Sequence, residues 1–179
     1  MFPEILTEAR SLVLKRINSL LNTESKVTDS MLYTSTAESK MIRSALLITA
    51  SKNNINLSKS SAINLATSIE LLHSYSLIHD DLPSMDNDNM RRGKDSNHIK
   101  YGAAIAILSG DALQTLAFEI ITNDNDLDSD LKVSAISLLT DACGHKGMVL
   151  GQELDITADP MQADEEFIRK MHYLKTGKL

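Results

Sequence analysis

Cysteine is nearly missing from this chain: Cys143 stands alone among 179 residues. That excludes an internal disulfide framework and any cysteine-rich zinc site. Seven glycines and three prolines fall well below the roughly 12% share of an average protein, which argues against a turn-rich β-sandwich and against disorder. Tryptophan is absent and aromatics make up only 4%, so the core must be built from leucine, isoleucine, alanine and methionine. Positive charge is in short supply too. Eighteen basic against 24 acidic residues leave a net charge of −6, unlike the basic balance of a nucleic-acid binder. Long apolar runs are missing as well: uncharged stretches such as 101–110 fall far short of the ~18 residues of a membrane span. Glu4 and Glu8 lie where a signal peptide would be apolar. What remains is aliphatic and poor in helix breakers. It predicts a soluble, all-helical protein of a reducing, cytoplasmic compartment.

Hydrophobic spacing supplies the helices. Pro3 sits where a first turn tolerates it, and Ile5, Leu6, Ala9, Leu12, Val13 and Ile17 follow at helical intervals to about residue 21. The spacing predicts further helices over about 34–52, 58–81, 99–122, 130–143, 145–156 and 164–174. Ser58 is placed to cap the third, and the fourth reads as a buried central helix. Asp164, Glu165 and Glu166 open the last, where acidic residues suit the helix dipole. No repeat or linker interrupts the chain, which reads as one helical domain over 1–179.

The stretch 79–93, HDDLPSMDNDNMRRG, is the chemically dense one. Four aspartates at this density are hard-cation ligands, and Mg²⁺ prefers one or two carboxylates completed by phosphate oxygens. Arg91 and Arg92 add planar forks suited to phosphate. Metal ligands and arginines at one place point to a diphosphate-bearing ligand. Asp86 follows Asp80 by six residues and would lie well around an unbroken helix, so Pro83 and its neighbours are expected to loosen the helix and swing Asp86 back beside Asp80. A calcium loop at 126–137 fails, because Leu131 stands where glycine is needed and Ser137 where glutamate is needed.

DDLPSMD followed by NDNMRRG resembles the first aspartate-rich motif of the trans-polyprenyl diphosphate synthases, in the bacterial form with four residues between Asp81 and Asp86. ELLHSYSLIHDDLPSMD, GAAIAILSGDALQTLAFEII, GQELD and KTG agree, and the likeness is greatest to the bacterial members that form farnesyl diphosphate. The resemblance runs from about residue 37 to the end. It implies an orthogonal bundle of long helices around a central cavity, and a homodimer. It implies that Asp80 and Asp86 bind Mg²⁺ bridging to the allylic diphosphate, with Asp81 in support. Arg91 would contact that diphosphate, and Lys40, Arg43, His73 and Arg92 the isopentenyl diphosphate. Lys175 and Thr176 would lie near the allylic diphosphate and the developing carbocation, with Gln152 and Asp155 facing the same cavity. Tyr75, five residues before the first aspartate, would limit product length to fifteen carbons.

Such a site ionises an allylic diphosphate, stabilises the leaving charge with Mg²⁺, arginine and lysine, and keeps water from the cation. The isopentenyl double bond then attacks, and loss of a proton completes a head-to-tail condensation. Two departures from the family pattern stand out. The family's GGKRLRP motif appears here as ESKMIRS over 38–44, retaining only Lys40 and Arg43. The family's second aspartate-rich motif lies beyond KTG, so the chain is expected to be the N-terminal part, rather more than half, of a synthase. The alternatives are a non-catalytic helical subunit that binds diphosphate and Mg²⁺ or dimerises without turnover, and a terpene cyclase needing only an allylic diphosphate.

Overall fold

Helices carry the chain, as the shortage of glycine and proline predicts. The computed structural model describes residues 2–159, 161 and 163–179. Its elements fall into two compact units, Met1–Ser129 and Asp130–Leu179. The first holds α1 (Phe2–Leu20), α2 (Lys26–Ser35), α3 (Ile42–Ser51), α4 (Lys59–Asp80), a two-stranded hairpin of β1 (Met90–Arg91) and β2 (Lys94–Asp95), then α5 (Asn97–Tyr101) and α6 (Ala103–Thr122). The second holds α8 (Met148–Thr157), α9 (Glu165–His172) and a π-helical turn, Tyr173–Gly177, with α7 (Ser129–Cys143) starting at the boundary.

In the first unit α4 is the hub, packing most extensively on α6 and also on α1, α2 and α3. Its sequence shows why. Leu71, Leu72 and Ile78 are fully buried, and Ser61, Ala66, Thr67 and Ser68 are small enough to admit neighbours closely on other faces. Full burial of each large aliphatic side chain contributes about 1.5–3 kcal/mol. The small hydroxyls bury no unpaired polar atom: Ser68 donates to the Ala117 carbonyl of α6 at 2.7 Å, and Thr67 to the Ile63 carbonyl one turn back. The opposite end of α4 is held by a buried carboxylate. Asp124 accepts from Asn64 at 2.8 Å, from Ser61 at 3.1 Å and from the Asp126 amide at 2.9 Å. Burial alone would raise its pKa, but these bonds and the Leu127 amide hold it below the ordinary carboxylate value.

Several expected boundaries move, each for a local reason. The helix expected over 34–52 is shorter: α3 covers Ile42–Ser51, residues 36–41 are not helical, and the separate α2 ends at Ser35. Met41 takes a left-handed φ of 44° at the start of α3, which a continuous helix cannot contain. The preceding α2 escapes the hydrophobic pattern because most of its buried residues are small and polar: Thr28, Ser30 and Ser35. Ser30 donates to Asn97 at 2.7 Å and lies 2.7 Å from the Ser109 hydroxyl, so this face is knitted by hydrogen bonds. The helix expected over 99–122 divides at Gly102, whose φ of 86° suits glycine. Its main part, α6, buries Ala106, Leu113, Ala117, Ile120 and Ile121, yet exposes Ile107 and Leu108. By length and composition alone α6 is apolar enough to cross a membrane, unlike the short uncharged runs read from the sequence; its buried residues pack on α4 and α2.

Candidate functional site

Three groups of residues are assembled, two in the first unit and one in the second. The first lies where α4 ends. Asp80 is the last residue of α4, and the chain then turns back on itself: the Leu82 amide donates to the His79 carbonyl at 3.2 Å, and the Asp86 amide to the Asp80 carbonyl at 2.9 Å. The loosened helix therefore returns Asp86 to Asp80 at the level of the backbone, as the spacing anticipated. Asp80 is half-buried and Asp86 exposed. Two such carboxylates, with other positions left to water or phosphate, match the way Mg²⁺ is commonly held. No cluster of three metal-ligating side chains occurs among the described residues.

Asp81 has a different role from its neighbours. It is 2% exposed and accepts a bidentate fork from Arg91, with Nε at 2.7 Å and Nη2 at 2.5 Å. That bond raises the arginine's pKa further. The pair ties the hairpin to the end of α4. In the hairpin, Met90 faces Asp95 and Arg91 faces Lys94, leaving Arg92 and Gly93 as a two-residue turn with φ of 54° and 76°. Two-residue hairpin turns of this hand favour Asn-Gly. An arginine at the first position carries strain of order 1 kcal/mol, and it is tolerated here because the register set by Arg91 aims its neighbour into a cleft.

That cleft, about 500 Å³ in volume, is the second group; Lys40, Arg43, Glu70, His73 and Arg92 line it. Lys40 and Arg43 come from one stretch, at the start of α3, and Arg92 from the hairpin turn; none of the three has a direct hydrogen bond or ion pair among the described residues. Three cations without a direct ion pair outnumber the cleft's two carboxylates, Glu38 and Glu70, and suit an anion. Burial and the Arg91 charge hold the Arg92 guanidinium below the usual arginine range, although arginine stays charged. Burial, then Arg43, Arg92 and Arg91, push His73 down from 6.5 to about 4. His73 is therefore a neutral hydrogen-bonding group at pH 7 rather than a fourth cation.

This shift gives a signed prediction. Between pH 6.5 and about 4 the unfolded chain binds a proton at His73 that the folded chain does not. The stability is fully present above 6.5 and is lost as pH falls through that window. The His73→Gln variant should lose about 2 kcal/mol less than wild type between pH 7 and pH 4, after allowance for partial exposure. Urea unfolding at the two pH values measures it; parallel profiles would contradict the assignment.

Glu70 was not anticipated from the sequence. Its carboxylate accepts from the Ser44 hydroxyl at 2.5 Å and the Ser44 amide at 3.3 Å. Met41 occupies the cap position of α3 and makes no side-chain cap, so a carboxylate from α4 satisfies an amide of the first turn instead. Glu70 thus fixes the helix start that carries Arg43. The available signal was its being the only acidic residue of α4 before Asp80. Tyr75, on the same helix, is 6% exposed and meets the His79 ring edge-on, with centroids 5.8 Å apart. His79 in turn lies 3.1 Å from the Ile107 carbonyl and covers Gly110, where a Cβ would come within 2.1 Å of the imidazole.

The third group belongs to the second unit. Lys175, in the π-helical turn, donates to Asp155 of α8 at 2.5 Å. Gly151 makes this approach possible, since a Cβ there would stand 2.2 Å from the Lys175 amide nitrogen. Gln152 is half-buried on the same helix, and Thr176 is exposed in the turn. GQELD and KTG, separate in sequence, thus meet at one helix contact.

Comparison with known proteins agrees with this arrangement. Residues 24–179 match the polyprenyl synthetase family. The chain is 39% identical to a farnesyl diphosphate synthase of Micrococcus luteus over 100% of its own length and 62% of that protein's. It is 40% identical to the farnesyl diphosphate synthase of Geobacillus stearothermophilus, covering 96% of this chain and 58% of the relative. The chain thus spans about three fifths of the length of these curated relatives. Among solved structures, an FPP/GFPP synthase from Zymomonas mobilis, in its apo form, superposes with a TM-score of 0.91 at 33% identity, over 99% of this chain and 65% of that one.

Proposed function

The chain belongs to the polyprenyl synthetase family, and from that premise we propose that it serves the magnesium-dependent, head-to-tail condensation of an allylic diphosphate, dimethylallyl or geranyl, with isopentenyl diphosphate to give farnesyl diphosphate. The observation that carries the reading is the cleft in which Lys40, Arg43 and Arg92 face one opening beside His73. Three fixed cations suit the diphosphate of isopentenyl diphosphate, and a neutral imidazole adds a directional hydrogen bond without further charge.

The other residues take complementary roles. Asp80 and Asp86 would hold magnesium, which when bound supplies neutralisation of the leaving diphosphate. Asp81 contributes through Arg91: it occupies Nε and Nη2, and the remaining Nη1 would contact the allylic diphosphate. Lys175 and Thr176 would act near the allylic diphosphate and the developing cation, with Gln152 and Asp155 lining the same site. Tyr75 would limit product length, its ring held by His79. A homodimer fits the apolar side chains exposed on α6, Ile107 and Leu108. A cytoplasmic setting fits the single, buried thiol of Cys143.

The test is incubation with geranyl diphosphate, labelled isopentenyl diphosphate and Mg²⁺, with extraction of prenyl products. A fifteen-carbon product is expected, falling at least about 100-fold with Arg92→Ala and with Asp80→Ala, as for loss of a group that stabilises transition-state charge. Product from the allylic substrate alone would favour a cyclase. Diphosphate binding without product would favour a non-catalytic subunit.

A further inference from the structure

The cleft described above is more acidic than a diphosphate site needs to be. Besides Lys40, Arg43 and Arg92 it is lined by two carboxylates, Glu38 and Glu70. Glu70 is accounted for by Ser44, whose hydroxyl and amide it accepts. Glu38 is not: it is exposed and has no hydrogen bond or ion pair among the described residues, so it performs no visible structural task. Its position is specific nevertheless. Glu38 and Arg92 are shared between the 500 Å³ cleft and a second, smaller one of about 80 Å³ that also meets Asp81 and Arg91. Glu38 thus lines both openings onto which Arg92 gives. With His73 neutral at pH 7, three cations face two carboxylates; without Glu38 they would face only one.

We propose that Glu38 is a specificity-determining residue that makes this cleft discriminate among anions by charge, weakening its hold on the most highly charged ones. The inference rests on the reading of the cleft as a diphosphate site and deepens it. The physical basis is the Coulomb term: repulsion between Glu38 and a bound anion grows in proportion to the anion's charge, and the exposed carboxylate is partly screened by water and salt. The expected effect is therefore moderate, graded and salt-dependent. A steric effect would show none of these three properties together.

The experiment is calorimetric titration of the purified chain with inorganic phosphate, diphosphate and triphosphate, for wild type, Glu38→Gln, Glu38→Ala and Lys40→Ala, at low and at high salt. Both Glu38 variants should bind diphosphate roughly 3- to 10-fold more tightly than wild type at low salt. The gain should be smaller for phosphate, larger for triphosphate, and reduced at high salt. Glu38→Ala separates lost charge from any hydrogen bond donated by the glutamine amide, and Glu38's exposure makes both changes compatible with folding. Unchanged affinities in both Glu38 variants, with binding weakened by Lys40→Ala, would overturn the role of Glu38 and leave the anion site standing. Absence of binding in every variant would overturn both.

Discussion

Replacing Arg91 by alanine is expected to destabilise the first unit by about 3 kcal/mol, because breaking a buried ion pair from one side leaves the other charge without compensation. The Asp81 side chain is 3% exposed and Arg91's is 28%, so the carboxylate stranded in the protein is the costly member. The value belongs at the lower end of the usual range because the arginine side is partly wet. Replacing both residues with apolar ones should recover most of the loss, since the pair itself contributes little net free energy once its desolvation is counted. Urea unfolding of the two single variants and the double variant measures the coupling. Independent, additive effects would mean that the pair does not anchor the hairpin. A contrasting pair is Arg169–Glu165 in α9, whose side chains are 77% and 79% exposed; its removal should change little. Loss of the Arg91 anchor should also free Arg92 from its strained turn and weaken anion binding at the cleft.

Gly151→Ala should open the contact between α8 and the π-helical turn. An added methyl carbon would lie 2.2 Å from the Lys175 amide nitrogen, 2.6 Å from its Cα and 2.8 Å from the Leu174 carbonyl carbon. All three are backbone atoms, so no side chain can swing aside. Alanine's better helix propensity would contribute about 1 kcal/mol in the opposite direction, but overpacking against backbone, at about 3 kcal/mol, outweighs it for a net loss of about 2 kcal/mol. Leu174, 7% exposed, and the Lys175–Asp155 ion pair should both be displaced. Amide hydrogen exchange at 173–177 is the direct readout. Protection equal to wild type would show that the turn absorbs the methyl group without moving, and the packing argument would fail.

The density of aspartate and arginine in 79–93 pointed to a diphosphate and a metal, because few other uses order those charges around a proline and a glycine. The long apolar helices were legible for the same kind of reason: their residue types and spacing are local properties. Other features were not legible because they depend on partners distant in sequence. The start of α2 lay hidden since its buried face is mostly serine and threonine, which no hydrophobic pattern marks; Ser30 is satisfied there by Asn97 and Ser109, distant in sequence, and Ser35 by the Met31 carbonyl one turn back. Glu70 looked like an ordinary helical glutamate until Ser44, 26 positions away, was brought against it.

The sequence by itself determined the helical class, the return of the chain at Pro83 and the inventory of charges, since these follow from backbone preference and composition. Tertiary structure alone decided what each charge does. It buried Asp81 under Arg91, left Lys40, Arg43 and Arg92 without a direct ion pair around one cleft, and lowered His73 to about 4, first by burying it and then by placing Arg43, Arg92 and Arg91 near it. Whether a charged group is spent on structure or kept for a ligand depends on the distance to its nearest opposite charge and on how much water remains between them. Both are properties of the folded arrangement.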